Sequence, residues 1–130
     1  MSSEEHSIQN EIRNELAGKA LVFRANVGQA WQGTKVEKLP GRKVVIHGAR
    51  PFNTGLPPGF SDLFGLVSVT ITPEMVGQKV AVFLAMEVKD KAKASEKQSN
   101  FLKAVNDNGG RAGVVRSVDD AVRIVEGDHA

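Results

Sequence analysis

Three charged residues have the types and the spacing that an active site would need. Asp62 begins the segment DLFGLVSVTI, and Glu87 and Lys89 lie near the end of the segment VAVFLAMEVK. Because successive side chains alternate across a strand, Glu87 and Lys89 are expected to point to the same face. An antiparallel hairpin between the two segments would bring Asp62 alongside them. We therefore expect two carboxylates and an ammonium to converge at one end of a sheet.

These groups match the needs of metal-assisted phosphodiester hydrolysis. Asp62 and Glu87 would supply hard oxygen ligands for Mg²⁺ or Mn²⁺, with the backbone carbonyl of Val88 as a further ligand. Such an ion polarises the phosphate and lowers the pKa of a bound water, while Lys89 would orient that water or stabilise developing charge. The pattern alone leaves a simpler explanation open. A Glu-x-Lys pair is commonly a solvated ion pair, and an Asp after Gly-Phe-Ser is commonly a turn residue.

Composition excludes several other classes of site. The chain has 130 residues, 41% hydrophobic and 25% charged, which is typical of one folded domain rather than of a disordered chain. It has no cysteine, and its three histidines show no zinc-site spacing. Any metal should therefore be a hard cation held by oxygen. A net charge of +2 is compatible with nucleic-acid binding but is weak evidence for it.

The sequence carries no targeting or membrane signal that we recognise. Its first ten residues, MSSEEHSIQN, are polar and do not form a signal peptide. No apolar run approaches the ~20 residues needed to span a bilayer. We therefore expect a soluble, cytoplasmic protein without membrane partners.

Hydrophobic periodicity and turn residues predict an α/β domain over residues 1–130. The expected elements are a helix over 2–18, a strand over 20–25, a long irregular segment over 26–61 broken by a strand at 43–47, an antiparallel hairpin of strands 62–71 and 80–89, a helix over 95–108, a strand over 112–116, and a last helix capped by Ser117. The order strand, helix, strand over 80–116 implies a crossover between parallel strands. The result would be a mixed β-sheet flanked by helices on both sides.

Several ordered motifs give the sequence a family resemblance. The matching pieces are Glu5-x-x-Ile8-Gln9, Pro58-Gly59-Phe60-Ser61-Asp62-Leu63-Phe64-Gly65, Ala85-Met86-Glu87-Val88-Lys89, Ser95-x-x-Gln98-x-x-Phe101 and Gly109-Gly110-x-Ala112-Gly113-Val114-Val115-Arg116-Ser117. With these motifs, which extend from about residue 4 to residue 125, the chain resembles the VRR-NUC family of the PD-(D/E)XK nuclease superfamily. Ser61 stands where the superfamily name implies proline before the acid, which is usual for this branch.

The resemblance implies a role for each matched residue. Asp62 and Glu87 would bind the divalent metal, and Lys89 would be the catalytic lysine. Gln98 would be the family's helix glutamine reaching toward the site, and Glu5 the first-helix acid that completes the metal's outer coordination. It also implies a restriction-endonuclease-like fold and DNA as the substrate. Stand-alone members of the family resemble junction-cleaving enzymes that act as homodimers, so branched DNA and a homodimer are expected.

Glu5 and Gln98 each have a second explanation. At 100° per residue, Glu5 falls within the arc of Ile8, Ile12 and Leu16, where an inward carboxylate needs a partner such as a metal site. Ser2-x-x-Glu5 and Ser95-x-x-Gln98 also fit capping boxes, in which both side chains serve only the helix start.

Three functions remain open from the sequence. The leading hypothesis is a Mg²⁺- or Mn²⁺-dependent, structure-specific DNA endonuclease, with four-way junctions as one substrate. The second is a catalytically silent DNA-binding module of the same fold, and the third is an α/β domain with an incidental charge pair. Basic residues near the expected site would either contact phosphates or form a solvated surface: Arg42, Lys43, Arg50, Lys91, Lys93 and Lys97.

Overall fold

A computed structural model describes residues 2–127 of the chain, and its α/β fold confirms the predicted class. The elements in order are α1 (Ser3–Leu16), β1 (Leu21–Arg24), β2 (Gln29–Gln32), β3 (Lys35–Leu39), β4 (Lys43–His47), β5 (Arg50–Asn53), β6 (Leu63–Leu66), β7 (Leu84–Val88), α2 (Glu96–Asp107), β8 (Arg111–Val115) and α3 (Val118–Glu126). The strands form two-stranded pairs, β1 with β6, β2 with β5, β3 with β4, and β7 with β8. The expected single mixed sheet is therefore not what the described residues form.

The chain divides into two compact units. One comprises Val22–Phe64 and is called the ribbon unit; the remaining described residues form the helical unit. The prediction of a single nuclease domain over 1–130 stays a prediction.

The core of the helical unit lies between β7, β8 and α2. β7 and β8 are parallel, from Leu84 opposite Arg111 to Val88 opposite Val115, as the predicted crossover requires. Leu102 and Val105 of α2 pack with Ala112 of β8 in the main buried cluster. Val105 is fully buried.

The other face of the parallel pair is covered by α3. A Cβ atom on Gly113 would lie 3.0 Å from Ile124 Cδ1, whereas the neighbouring Ala112 packs with α2. Adjacent strand residues point to opposite faces, so α2 and α3 lie on opposite sides of β8. Ser117 caps α3 by accepting a hydrogen bond from the backbone N–H of Asp120, as predicted. No helix within residues 2–127 is long and apolar enough to cross a membrane.

Helix α1 begins where predicted, but it does not bury the predicted residues. Ile8 and Ile12 are 54% and 40% exposed, and the one buried residue of the helix is Gln9. The apolar periodicity identified the helix correctly. The inference that Ile8 and Ile12 face a core was wrong, because both are exposed and the buried Gln9 lies ~100° around the helix from Ile8 and ~60° from Ile12.

The expected hairpin of strands 62–71 and 80–89 is not formed. β6 pairs with β1 and β7 pairs with β8, and within residues 2–127 no ladder joins the two predicted strands. Residues 67–71 and 80–83 are irregular. Val67, Val69 and Ile71 of the first segment and all four residues of the second line a groove of about 720 Å³. The connection contains a 3₁₀ turn at Pro73–Met75, and a connection this long does not fix a register as a two-residue turn does. Packing of Ala85 near α2 favours the long-range pairing with β8.

The prediction that 26–61 is irregular apart from one strand was wrong. β3 and β4 pair antiparallel around a turn, and β2 pairs with β5 beyond them. The two strand pairs share one register. Gln32 lies opposite Arg50, and three residues further along each strand Lys35 lies opposite His47. The segment is thus one long two-stranded ribbon. Its strands bury little on either face, so they lack the apolar alternation by which strands are recognised.

Candidate active site

The candidate site is built on the inner face of β7. Ala85 and Glu87 are partly buried, whereas Met86 and Val88 between and after them are 41% and 75% exposed. This alternation turns Ala85, Glu87 and the following Lys89 toward α2. The prediction that Glu87 and Lys89 share one face is confirmed.

Lys89 lies beside the Glu87 carboxylate. Its Nζ is 3.8 Å from Glu87 Oε1, and the two side chains are 23% and 30% exposed. The backbone of Lys89 is fixed independently, because its N–H donates to the Val115 carbonyl at 3.1 Å. The ammonium therefore sits next to the carboxylate at the end of a hydrogen-bonded strand pair rather than on a loose loop.

Gln98 joins this pair from the first turn of α2. Its Nε2 donates a 2.7 Å hydrogen bond to Glu87 Oε1. Its own Oε1 accepts from the Ser95 backbone N–H at 2.8 Å, while the Gln98 backbone N–H donates to Ser95 Oγ. Gln98 therefore completes a capping box and contacts Glu87 at the same time. The two explanations that the sequence left open for Gln98 are compatible.

Arg116 supports the segment that follows Lys89, and the functional reading of the sequence did not single it out. Its Nη1 donates to the Asp90 carbonyl at 2.9 Å, and its backbone N–H donates to Asp120 Oδ2. Arg116 follows β8 directly, and its two hydrogen bonds link the residues after β7 to the first turn of α3. The signal was present in the Val114-Val115-Arg116-Ser117 motif, but a motif alone does not reveal a partner 26 residues away.

Glu5 forms the capping box that the sequence offered as its second explanation. Its Oε2 accepts from the Ser2 backbone N–H at 3.0 Å, and its own N–H donates to Ser2 Oγ. The side chain is exposed, so burial does not demand a metal as its partner. Gln9, four residues later and hence on the same helix face, is the buried polar residue of α1. The role of Glu5 at a metal site stays a prediction.

Asp62 belongs to the ribbon unit, where its backbone is held in place. The Asp62 carbonyl accepts a 2.9 Å hydrogen bond from the Ala25 N–H. Phe60 and Phe64 flank it and contact each other with ring centroids 5.4 Å apart. The Asp62 side chain is exposed. The structure thus groups Glu87, Lys89 and Gln98, while convergence of Asp62 on them and ligation by the Val88 carbonyl remain predictions.

The donor chemistry of Glu87 fits a hard divalent cation. Carboxylate oxygens are the ligands that Mg²⁺ and Mn²⁺ prefer, and Mg²⁺ usually keeps several waters beside one or two carboxylates. Within residues 2–127, no three acidic or histidine side chains are grouped closely enough to hold a metal by themselves.

Comparison with known proteins gives the class and then the family. A family model for the VRR-NUC domain matches residues 3–119, nearly the whole chain. The matched domain is of the nuclease type, in agreement with the α/β fold and the Glu87–Lys89 pair. The chain belongs to the VRR-NUC family. No curated protein and no solved structure matches it.

Proposed function

We propose that this protein is a Mg²⁺- or Mn²⁺-dependent DNA endonuclease that cuts branched DNA, including four-way junctions. The observation that carries the proposal is the contact of one carboxylate, Glu87, with both Lys89 and Gln98 on adjacent elements of a VRR-NUC domain. An incidental ion pair on the surface would not require a hydrogen bond from a neighbouring helix to the same carboxylate. A preorganised active site does require such supporting contacts, because they hold the reacting side chains in place.

Glu87 and Asp62 would hold the metal ion, with the Val88 carbonyl and Glu5 as further oxygen donors. When bound, the ion would polarise the scissile phosphate and lower the pKa of a coordinated water. The remaining work falls to the side chains of the protein.

Lys89 acts on the reacting phosphate in this proposal. Its ammonium, on the same face as Glu87 and only 23% exposed, is placed to stabilise negative charge that develops on the phosphate oxygens or to orient the attacking water. Its Nζ lies 3.8 Å from Glu87 Oε1, so the ammonium would act next to the proposed metal ligand. Gln98 is a positioning residue, since its Nε2 fixes one oxygen of the Glu87 carboxylate.

Branched DNA and a homodimer enter through the family resemblance. Two cuts related by a twofold axis suit a four-way junction, and a chain of 130 residues covers little duplex alone. Light scattering over micromolar concentrations tests the dimer, and a single monomeric species throughout would rule it out.

The substrate is tested with labelled four-way junction, flap and plain duplex DNA, in Mg²⁺ and in Mn²⁺. We expect the wild type to cut the junction symmetrically and Lys89→Ala to lose that cutting. Tight binding without cutting of any substrate in either metal would instead assign the catalytically silent DNA-binding function.

A further inference from the structure

The β2–β5 ribbon, residues 29–53, has a net positive charge, whereas the rest of the chain has a net negative one. Residues 29–53 contain five lysines and arginines and a single acidic residue, Glu37, which gives a formal charge of +4. The whole chain has 17 basic and 15 acidic residues and a charge of +2, so everything outside the ribbon sums to −2. The net positive charge of the chain therefore lies on the ribbon.

Glu37 neutralises only part of the positive charge of the ribbon. Its Oε1 lies 3.4 Å from Lys35 Nζ and 3.3 Å from His47 Nε2, so its carboxylate is used on one face of the ribbon. Four basic side chains remain exposed, and within the described residues no salt bridge involves them: Lys38, Arg42, Lys43 and Arg50.

Three of these cations surround the tip of the ribbon. Leu39 pairs with Lys43, and Lys38 pairs with Val44 one step further back. Adjacent pairs point to opposite faces, so Lys38 and Lys43 project from different sides. Arg42 lies in the turn between them, with φ of 59°. The tip thus presents positive charge on both faces and at its end.

We propose that this ribbon is a DNA-binding arm whose tip residues Lys38, Arg42 and Lys43 contact phosphates of duplex substrate; the inference rests on the proposed nuclease function. A two-stranded β-ribbon fits the major groove of B-DNA, which is ~12 Å wide and ~8.5 Å deep. Strands β3 and β4, which form the end of the ribbon, have five residues each and are roughly 17 Å long at about 3.4 Å per residue, so they can reach that depth. Cations on both faces would then meet the phosphates on both walls of the groove.

Trp31 lies on the same ribbon, nearer its base. Trp31 and Phe52 fall in the segment predicted to be irregular, but they lie in β2 and β5 and are 59% and 40% exposed. An exposed indole on a basic ribbon offers a stacking surface where DNA bases are unpaired, as at a branch point.

Apolar side chains on the ribbon would instead suit contact with a protein. Val36 and Val44 are each 55% exposed and lie on the Lys38 face. A protein partner would bury these valines, whereas a charge-driven contact with DNA depends on the lysines and arginine. The net positive charge of the ribbon favours DNA over a protein partner.

The test compares the wild type with the triple variant Lys38→Ala/Arg42→Ala/Lys43→Ala. Fluorescence anisotropy without divalent metal measures binding to a labelled duplex and a four-way junction between 50 and 200 mM NaCl. The matched control is Lys19→Ala/Lys79→Ala/Lys103→Ala, which removes the same formal charge from exposed positions of the helical unit. Circular dichroism verifies that both variants fold.

Because each phosphate contact on B-DNA contributes ~0.9 to the slope of log K against log salt, the tip variant should lose about 2–3 units of slope and at least about tenfold in affinity at low salt. The control should keep the wild-type slope. Equal slopes for the two variants, with a wild type that binds and cuts DNA, would overturn the arm and leave the nuclease standing. Equal slopes together with altered sedimentation of Val36→Ser would instead assign the ribbon to contact with a second copy of the chain. A wild type that neither binds nor cuts DNA would refute both proposals.

Discussion

Gln98 contacts Glu87 through the same side chain that closes the start of helix α2. Its Nε2 donates to Glu87 Oε1 at 2.7 Å, and its Oε1 accepts from the Ser95 N–H at 2.8 Å. The capping box removes the rotational freedom of the Gln98 amide, and the fixed amide in turn orients the carboxylate. Local helix geometry thereby determines the direction of a proposed metal ligand across two elements.

The two roles of Gln98 can be separated by substitution. Ser95→Ala removes the cap hydroxyl, so the free energy of unfolding should fall by about 1 kcal/mol, with most cleavage activity retained. Gln98→Glu keeps an acceptor for the Ser95 N–H but removes the donor to Glu87, so cleavage should fall by about 10- to 100-fold. Urea denaturation and cleavage rates are measured on both variants. Equal activity of Gln98→Glu and the wild type would show that the Glu87 contact has no functional role.

Arg116→Ala should destabilise the end of β7. The variant loses the hydrogen bond to the Asp90 carbonyl, and because the arginine is exposed we expect a loss of about 1 kcal/mol in the free energy of unfolding. Arg123→Ala is the control, since its salt bridge to Asp120 is 3.9 Å long and exposed and should change stability by less than about 0.5 kcal/mol. If urea midpoints shift equally for the two variants, Arg116 does not anchor this segment.

Val105→Ala tests the core that supports the site. Val105 is fully buried against Gly110, and removal of two methyl groups should lower the free energy of unfolding by about 2–3 kcal/mol. Val76 is 83% exposed, so Val76→Ala should be nearly neutral. Thermal and urea unfolding measure both. A neutral Val105→Ala would mean that the α2–β8 packing contributes little to stability.

The sequence predicted the elements that obey strong local rules. Ser95 and Ser117 cap their helices as expected, and the crossover made β7 and β8 parallel. The alternation that placed Glu87 and Lys89 on one face also held. Caps and strand alternation are properties of a few adjacent residues, which explains why one sequence sufficed for them.

The failures involve choices between distant partners or faces. β7 could pair with the preceding apolar segment or with β8, and its own residues do not distinguish the two. The ribbon was missed because Val36 and Val44 remain exposed, so its strands show no buried face. Burial of Gln9 rather than Ile8 likewise depends on what covers α1, which helix periodicity does not encode.

The central claim is metal-dependent hydrolysis at Glu87, and single-turnover cleavage of a labelled four-way junction against Mg²⁺ concentration tests it most directly. The comparison is between the wild type, Glu87→Gln, and Glu96→Gln as a control at an exposed glutamate on α2. We predict a saturable dependence on Mg²⁺, no cleavage in EDTA, and a loss of at least about 100-fold in Glu87→Gln alone. Cleavage by Glu87→Gln at the wild-type rate, or wild-type cleavage that persists undiminished in EDTA, would contradict the account.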